Sequence, residues 1–172
     1  MIQAVLPASH VLHGLVMCRI AMVYAYLDQL QEAQGLCEKA YELYRTVVPG
    51  DHDFTAECLR VLALIKLRMG SQEEAKATCE EALDMAQRVL DPRNPLIAKI
   101  LLTMSRIQLA FNQPTDAYSS CLESVSIYEE KIGLEFDMVG EAYILMAESK
   151  LLLGEKQESE RLCDRAIPLI EN

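Results

Sequence analysis

Gly70-Ser71-Gln72-Glu73-Glu74-Ala75-Lys76-Ala77-Thr78-Cys79-Glu80-Glu81-Ala82 is the stretch that decides the fold, because the chain keeps rewriting it. Cys79 recurs as Cys37, Cys121 and Cys163, each 42 residues from the last with no insertion or deletion. Ala75 recurs as Ala33, Ala117 and Ser159, and Ala82 as Ala40, Ser124 and Ala166. A fixed period of this size signals an array of stacked supersecondary units, each burying its apolar face on the next.

Inside the stretch, Gly70 suits a helix C′ position that needs positive φ. Ser71 and Glu74 have the spacing of a capping box that would open the next helix. Asn112 and Gly154 fall at the Gly70 position in later units, and asparagine also tolerates the left-handed region. Pro114 comes at the first turn of a second helix, where a missing N–H costs nothing.

Working outward, Leu12, Leu15, Val16, Ile20, Val23 and Leu27 are spaced as one helix. Asp28-Gln29-Leu30 breaks it, and Gln31 to Val48 makes a second. Pro49-Gly50-Asp51-His52-Asp53 is a turn, with Asp53 the expected N-cap of the next helix. Asp91-Pro92-Arg93-Asn94-Pro95 closes the second unit. The repeats read as about 12–53, 54–95, 96–137 and 138–172, in a single domain spanning 1–172. Residues 1–11 match the tail of a preceding repeat and its loop, which suggests a piece of a longer array. Pro168 sits where other units hold Glu42, Asp84 and Ser126, so the last helix is expected to kink or fray there.

The 172 residues are 51% hydrophobic and 24% charged, with net charge −10. That is ample apolar content for a core, and an acidic total disfavours binding to a phosphate backbone. No run of apolar residues is long enough to span a membrane, and no basic-then-apolar leader opens the chain. Six cysteines are present without any CxxC or CxxH pair, so no metal or other cofactor is expected. Equivalent cysteines a repeat apart lie too far from one another for disulfides, so they read as reduced, buried side chains of a cytoplasmic or nuclear protein. The methionines read as core filling, and His10, His13 and His52 as loop and turn residues. Glu73-Glu74 and Glu80-Glu81 fall on solvent-facing arcs. No nucleophile–base pair, P-loop or dinucleotide fingerprint occurs, so no enzyme is read from the sequence.

Large–small pairs at Ile20-Ala21, Leu62-Ala63, Met104-Ser105 and Met146-Ala147 lie in the first helices, and the small residues above lie in the second. This pattern resembles the tetratricopeptide repeat, lengthened to the 42-residue form of the kinesin light chain family. Pro49-Gly50-Asp51-His52 is similar to that family's Gly-x-x-His-Pro loop, and Gly70 to Ala75 to its Gly-x-Tyr-x-Glu-Ala. The places where the family often has Asn-Asn hold Cys18-Arg19, Arg60-Val61, Leu102-Thr103 and Ile144-Leu145. The resemblance implies an all-α, right-handed superhelical solenoid of four helical hairpins, with first helices lining a concave face.

The charges divide by element. First helices hold seven basic against four acidic residues, second helices eight against seventeen, and loops one against five. The residues expected to face the groove are Arg19, Met22, Tyr26, Arg60, Leu64, Arg68, Lys99, Arg106, Ile144 and Glu148. Arginine forks match carboxylates, so the expected partner is a protein or peptide with an acidic or acidic–hydrophobic segment. In the fourth unit Tyr143, Ile144, Leu145, Leu151, Leu152 and Leu153 make the first helix unusually apolar, a docking face or a surface for a neighbouring repeat. Two rival readings stand beside the scaffold: an assembly subunit that self-associates through exposed ends, and a regulatory domain of an attached enzyme.

Overall fold

The computed structural model describes residues 8–48, 50–129 and 136–170. Among them lie eight helices: α1 (Ala8–Tyr26), α2 (Leu30–Val47), α3 (Asp53–Arg68), α4 (Gln72–Val89), α5 (Pro95–Ala110), α6 (Pro114–Glu129), α7 (Phe136–Leu152) and α8 (Lys156–Ile170). The all-α expectation and the four hairpins hold. The chain forms two compact units, Met1–Leu90 with α1–α4 and Asp91–Asn172 with α5–α8.

Each hairpin turns by one device. Asp28, Gly70, Asn112 and Gly154, spaced 42 apart, have φ of 62°, 84°, 56° and 79°. The N–H of each donates to a carbonyl three residues back, and the next N–H donates to one five residues back. For Gly70 these bonds are Gly70 to Leu67 O and Ser71 to Lys66 O, both 3.0 Å. This is the Schellman stop, which satisfies carbonyls left over at a helix end. Asp28 takes the left-handed place without glycine's freedom.

The stop removes the capping box expected at Ser71. The box needs a free Ser71 N–H for the Glu74 carboxylate, but that N–H already serves Lys66 O. The Ser71 side chain makes no cap bond, and Glu74 pairs with Lys66 Nζ at 3.3 Å. At α3 the cap is His52, one residue before the expected Asp53. Its Nδ1 accepts from Phe54 N at 3.4 Å, and the Asp53 carboxylate accepts from the same N–H at 2.9 Å. Asn94 caps α5 by accepting from Leu96 N at 2.9 Å, and Pro95 and Pro114 open α5 and α6. Ala8, Ser9 and His10, expected in a turn, belong to α1. Helix α8 continues through Pro168 to Ile170, so it does not stop at the proline. The expected tail of a preceding repeat, residues 1–7, lies outside the described residues.

In unit 1 the buried face of α1 is its row of small residues, Gly14, Cys18, Ala21 and Ala25. These meet Ala33, Cys37, Ala40 and Tyr44 of α2. Small side chains let helix axes approach, which is what a tight hairpin requires. Large residues of α1 point elsewhere: Leu12, Val16, Ile20, Val23 and Leu27 are all exposed. Helix α3 closes over the pair with Cys58, Val61, Leu62 and Ile65.

Unit 2 repeats the scheme with serine in alanine's place. Ser124 Oγ donates to Ala98 O at 3.0 Å, and Ser159 Oγ to Ala147 O at 2.8 Å. Using the hydroxyl donor in this way offsets the cost of burying it in a small-residue position.

Candidate functional site

In unit 1, the expected groove residues form two rows on neighbouring helices. Arg19, Met22 and Tyr26 follow one another at helical spacing on α1, and Arg60, Leu64 and Arg68 do so on α3. Arg19 and Tyr26 are exposed, Met22 and Leu64 half-buried. Arg68 joins the rows: its guanidinium donates to Ala25 O and pairs with Asp28 at 3.4 Å. Arg60 is different. It is 8% exposed, and two of its N–H groups reach the two Glu57 oxygens at 2.7 Å each.

In unit 2, Lys99 on α5 is half-buried, while Arg106 on α5 and Ile144 and Glu148 on α7 are exposed. Arg106 bridges the helices through Glu141, with N···O distances of 3.2 and 2.6 Å. Three of the four acidic residues counted with the first helices thus sit on an arginine: Asp28 on Arg68 and Glu57 on Arg60 in unit 1, and Glu141 on Arg106 in unit 2. Lys66 and Lys150 pair with Glu74 and Glu155. Formal charge by element therefore overstates the positive charge open to a ligand. Arg19 has no ion-pair partner among the described residues and keeps its charge available. The apolar run of the fourth hairpin also divides: Tyr143 and Leu145 are buried, while Ile144, Leu151, Leu152 and Leu153 are exposed.

Sequence spacing missed one cluster altogether. Cys18 of α1, Cys37 of α2 and Cys58 of α3 bring their sulfur atoms within 4.8 Å of one another, all three buried. Cys37 Sγ donates to Cys58 O at 3.4 Å, Cys58 Sγ to Cys37 O at 3.3 Å, and the two sulfurs are 3.6 Å apart. Hydrogen bonding from Cys37 and Cys58 pulls the Cys18 thiol down against burial, and the bonds to Cys18 push Cys37 and Cys58 up, as burial does. Only Cys37 belongs to the 42-residue series, so the repeat did not flag the trio. All six cysteines are free, but Cys163 is exposed, against the expectation of burial. Cys37 is covered by α3, whereas no later hairpin is described over α8. Burial raises Cys79 to about 12 and Cys121 to about 11, the latter opposed by its hydrogen bond with Ser105.

Among the described residues, no helix is long and apolar enough to cross a membrane. A family model described as tetratricopeptide repeat matches residues 13–78 and again 62–130. No curated protein matches in sequence. Among solved structures, the chain is similar to BtubC (BKLC) from P. vanneervenii, at 17% identity and TM-score 0.77. That match covers 91% of this chain and 62% of BtubC, so the chain spans under two thirds of that protein's length. It is also similar to the nearly identical TPR-like repeats of a Podosopora anserina protein ascribed to the kinesin light chains. There identity is 19% and TM-score 0.75, covering 90% of this chain and 73% of that one. Aspartyl phosphate phosphatase F from Bacillus subtilis matches at 17% identity and TM-score 0.77, over 94% of this chain and 41% of that one.

Proposed function

Because the chain belongs to the tetratricopeptide repeat family, whose fold serves as a protein–protein interaction scaffold, we propose that it binds an acidic or acidic–hydrophobic segment of a partner on its first helices. One observation carries the reading: Arg19, Met22 and Tyr26 form an open row on α1 beside Arg68, whose partner Asp28 is a loosely held surface carboxylate. The Asp28 side chain is 81% exposed and stands 3.4 Å from Arg68. An exposed pair of this kind is worth at most about 1 kcal/mol, so an incoming carboxylate displaces Asp28 at little cost. A second carboxylate of the segment takes the Arg19 fork, and Met22 and Tyr26 supply apolar contact. Recognition is an equilibrium on a preformed surface and involves no bond-making chemistry. Six free thiols favour a cytoplasmic or nuclear setting.

The test is binding of an array of fluorescent twelve-residue peptides, acidic and acidic–aromatic, to the wild-type chain and to Arg19→Glu/Arg68→Gln. Binding ought to weaken at least tenfold, with a shallower dependence on salt; unchanged affinity for the same peptides would refute the reading. Arg60 and Arg106 are poor choices here. Reversing either sets two acids against each other, at Glu57 or Glu141, and perturbs the packing.

A second reading rests on the stripe of Leu12, Val16, Ile20, Val23 and Leu27. An exposed apolar row of that length marks a protein contact, and self-association is one way to cover it. Sedimentation velocity over a range of concentrations separates the two readings. Association that disappears in Val16→Glu supports assembly; a monomer at all concentrations removes it.

A further inference from the structure

We propose that Cys18, Cys37 and Cys58 form a three-coordinate site for a soft monovalent metal ion of the Cu(I) class. Three observations point to it. The donors come from three helices and converge, with sulfurs within 4.8 Å of one another and the closest pair 3.6 Å apart. A trigonal ion with metal–sulfur bonds of about 2.3 Å places its sulfurs about 4.0 Å apart, so the observed triangle needs only a small adjustment. Thiolate is the ligand type that selects Cu(I), and the cluster holds no histidine or carboxylate to draw a harder ion. A tetrahedral zinc ion would need a fourth donor, and among the described residues no other cysteine, histidine or carboxylate joins the group.

The surroundings suit the ion. Ala21, Ala33, Ala40, Val61 and Leu62 belong to the same buried cluster as the three cysteines. A dry apolar shell protects Cu(I) from water and oxygen. The step is a ligand exchange with no change of oxidation state. Cu(I) leaves its carrier ligands, sulfur–metal bonds form, and each thiol that binds as thiolate gives its proton to water. The Cys37 and Cys58 thiols turn away from the carbonyls they now face. Bound metal ties α1, α2 and α3 together, so it stabilises unit 1 by linkage. Loading requires local opening of α1, since all three sulfurs are buried.

The test uses the full chain, reduced and free of metal, titrated anaerobically with Cu(I) supplied as its acetonitrile complex. A chromogenic Cu(I) chelator competes for the ion. The wild-type chain should retain one Cu(I) per molecule, show sulfur-to-copper charge-transfer absorption, and melt at a higher temperature when loaded. Cys18→Ala, an apolar replacement at a small-residue position, should lose at least tenfold in affinity and show no rise in melting temperature on loading, measured against its own apo form. Cys163→Ser should behave as wild type. Three results would overturn the proposal: no retention by the wild type, retention unchanged in Cys18→Ala, or loss of retention in Cys163→Ser. Should Cys18→Ala fail to fold, X-ray absorption of the loaded wild-type protein decides. Three sulfur neighbours support the site, and any nitrogen or oxygen neighbour refutes it.

Discussion

Two glycines in neighbouring helices should respond oppositely to the same substitution. Gly14 lies in α1 and Gly35 in α2, both inside helices, where alanine is intrinsically better by about 0.5–1 kcal/mol. A Cβ at Gly35 would meet nothing within 4 Å, so Gly35→Ala should stabilise the chain by roughly that amount. A Cβ at Gly14 would stand 2.6 Å from Tyr44 Cζ, 2.7 Å from Cε1 and 2.9 Å from the hydroxyl. Tyr44 cannot retreat easily: it is 1% exposed, its ring stacks on Phe54 at 5.9 Å, and its hydroxyl donates to Val11 O at 3.3 Å. Overpacking of this kind costs about 1–3 kcal/mol. The two variants should therefore differ by about 1–3 kcal/mol, with Gly14→Ala the weaker. At about 2–4 °C per kcal/mol for a chain of this size, that is a gap of roughly 2–12 °C in Tm. Urea unfolding gives the free energies, and hydrogen exchange in α1 and α2 locates the loss. Tyr44→Leu should let Gly14→Ala recover its helix-propensity gain. If both glycine variants gained equally in the wild-type background, the close approach of α1 to Tyr44 would be wrong.

Replacing Asp28 by glycine should stabilise the first hairpin by a few tenths to about 1 kcal/mol, because φ of 62° strains a side chain and the exposed Arg68 pair returns little; thermal melts measure it. Gly70→Ala, with φ of 84° and open space around its Cβ, should cost about 1–2 kcal/mol through backbone conformation alone, and Gly70→Asn less. A thiol reagent at pH 7 should label Cys163 quickly and the other five cysteines far more slowly, through local opening or unfolding, as counted by mass spectrometry. Stability should fall as pH climbs above 9.0, the ordinary thiol value. The unfolded chain then ionises cysteines that stay protonated in the folded state, up to about 12 at Cys79 and about 11 at Cys121. A urea midpoint that does not move between pH 8 and pH 10 would contradict those burial effects.

Much of the fold was legible because a repeat is a statement about neighbours made several times over. Cys79 with its echoes, the alanines in step with it, and Gly70 with Asn112 and Gly154 determined the helix class, the hairpin count and the positions of the stops. These depend on local backbone geometry and on side-chain size, which a sequence records directly. Asp28 was the weakest of these signals, since an aspartate at a stop differs from a glycine only in how readily it accepts positive φ. The capping box at Ser71 misled for a related reason: the motif predicts a bond for the Ser71 N–H, and the preceding helix had already taken it.

What the tertiary structure decided was which side of each helix meets what. The apolar spacing of Leu12, Val16, Ile20, Val23 and Leu27 marks a helix, yet the row that packs on α2 is the small one, because axes come close only where side chains are short. Counting charges by element described a basic surface; distances showed Arg60, Arg68 and Arg106 already holding Glu57, Asp28 and Glu141. The meeting of Cys18, Cys37 and Cys58 has no period, since it depends on how three helices cross. Local rules set the repeat of this chain, and non-local packing set its chemistry.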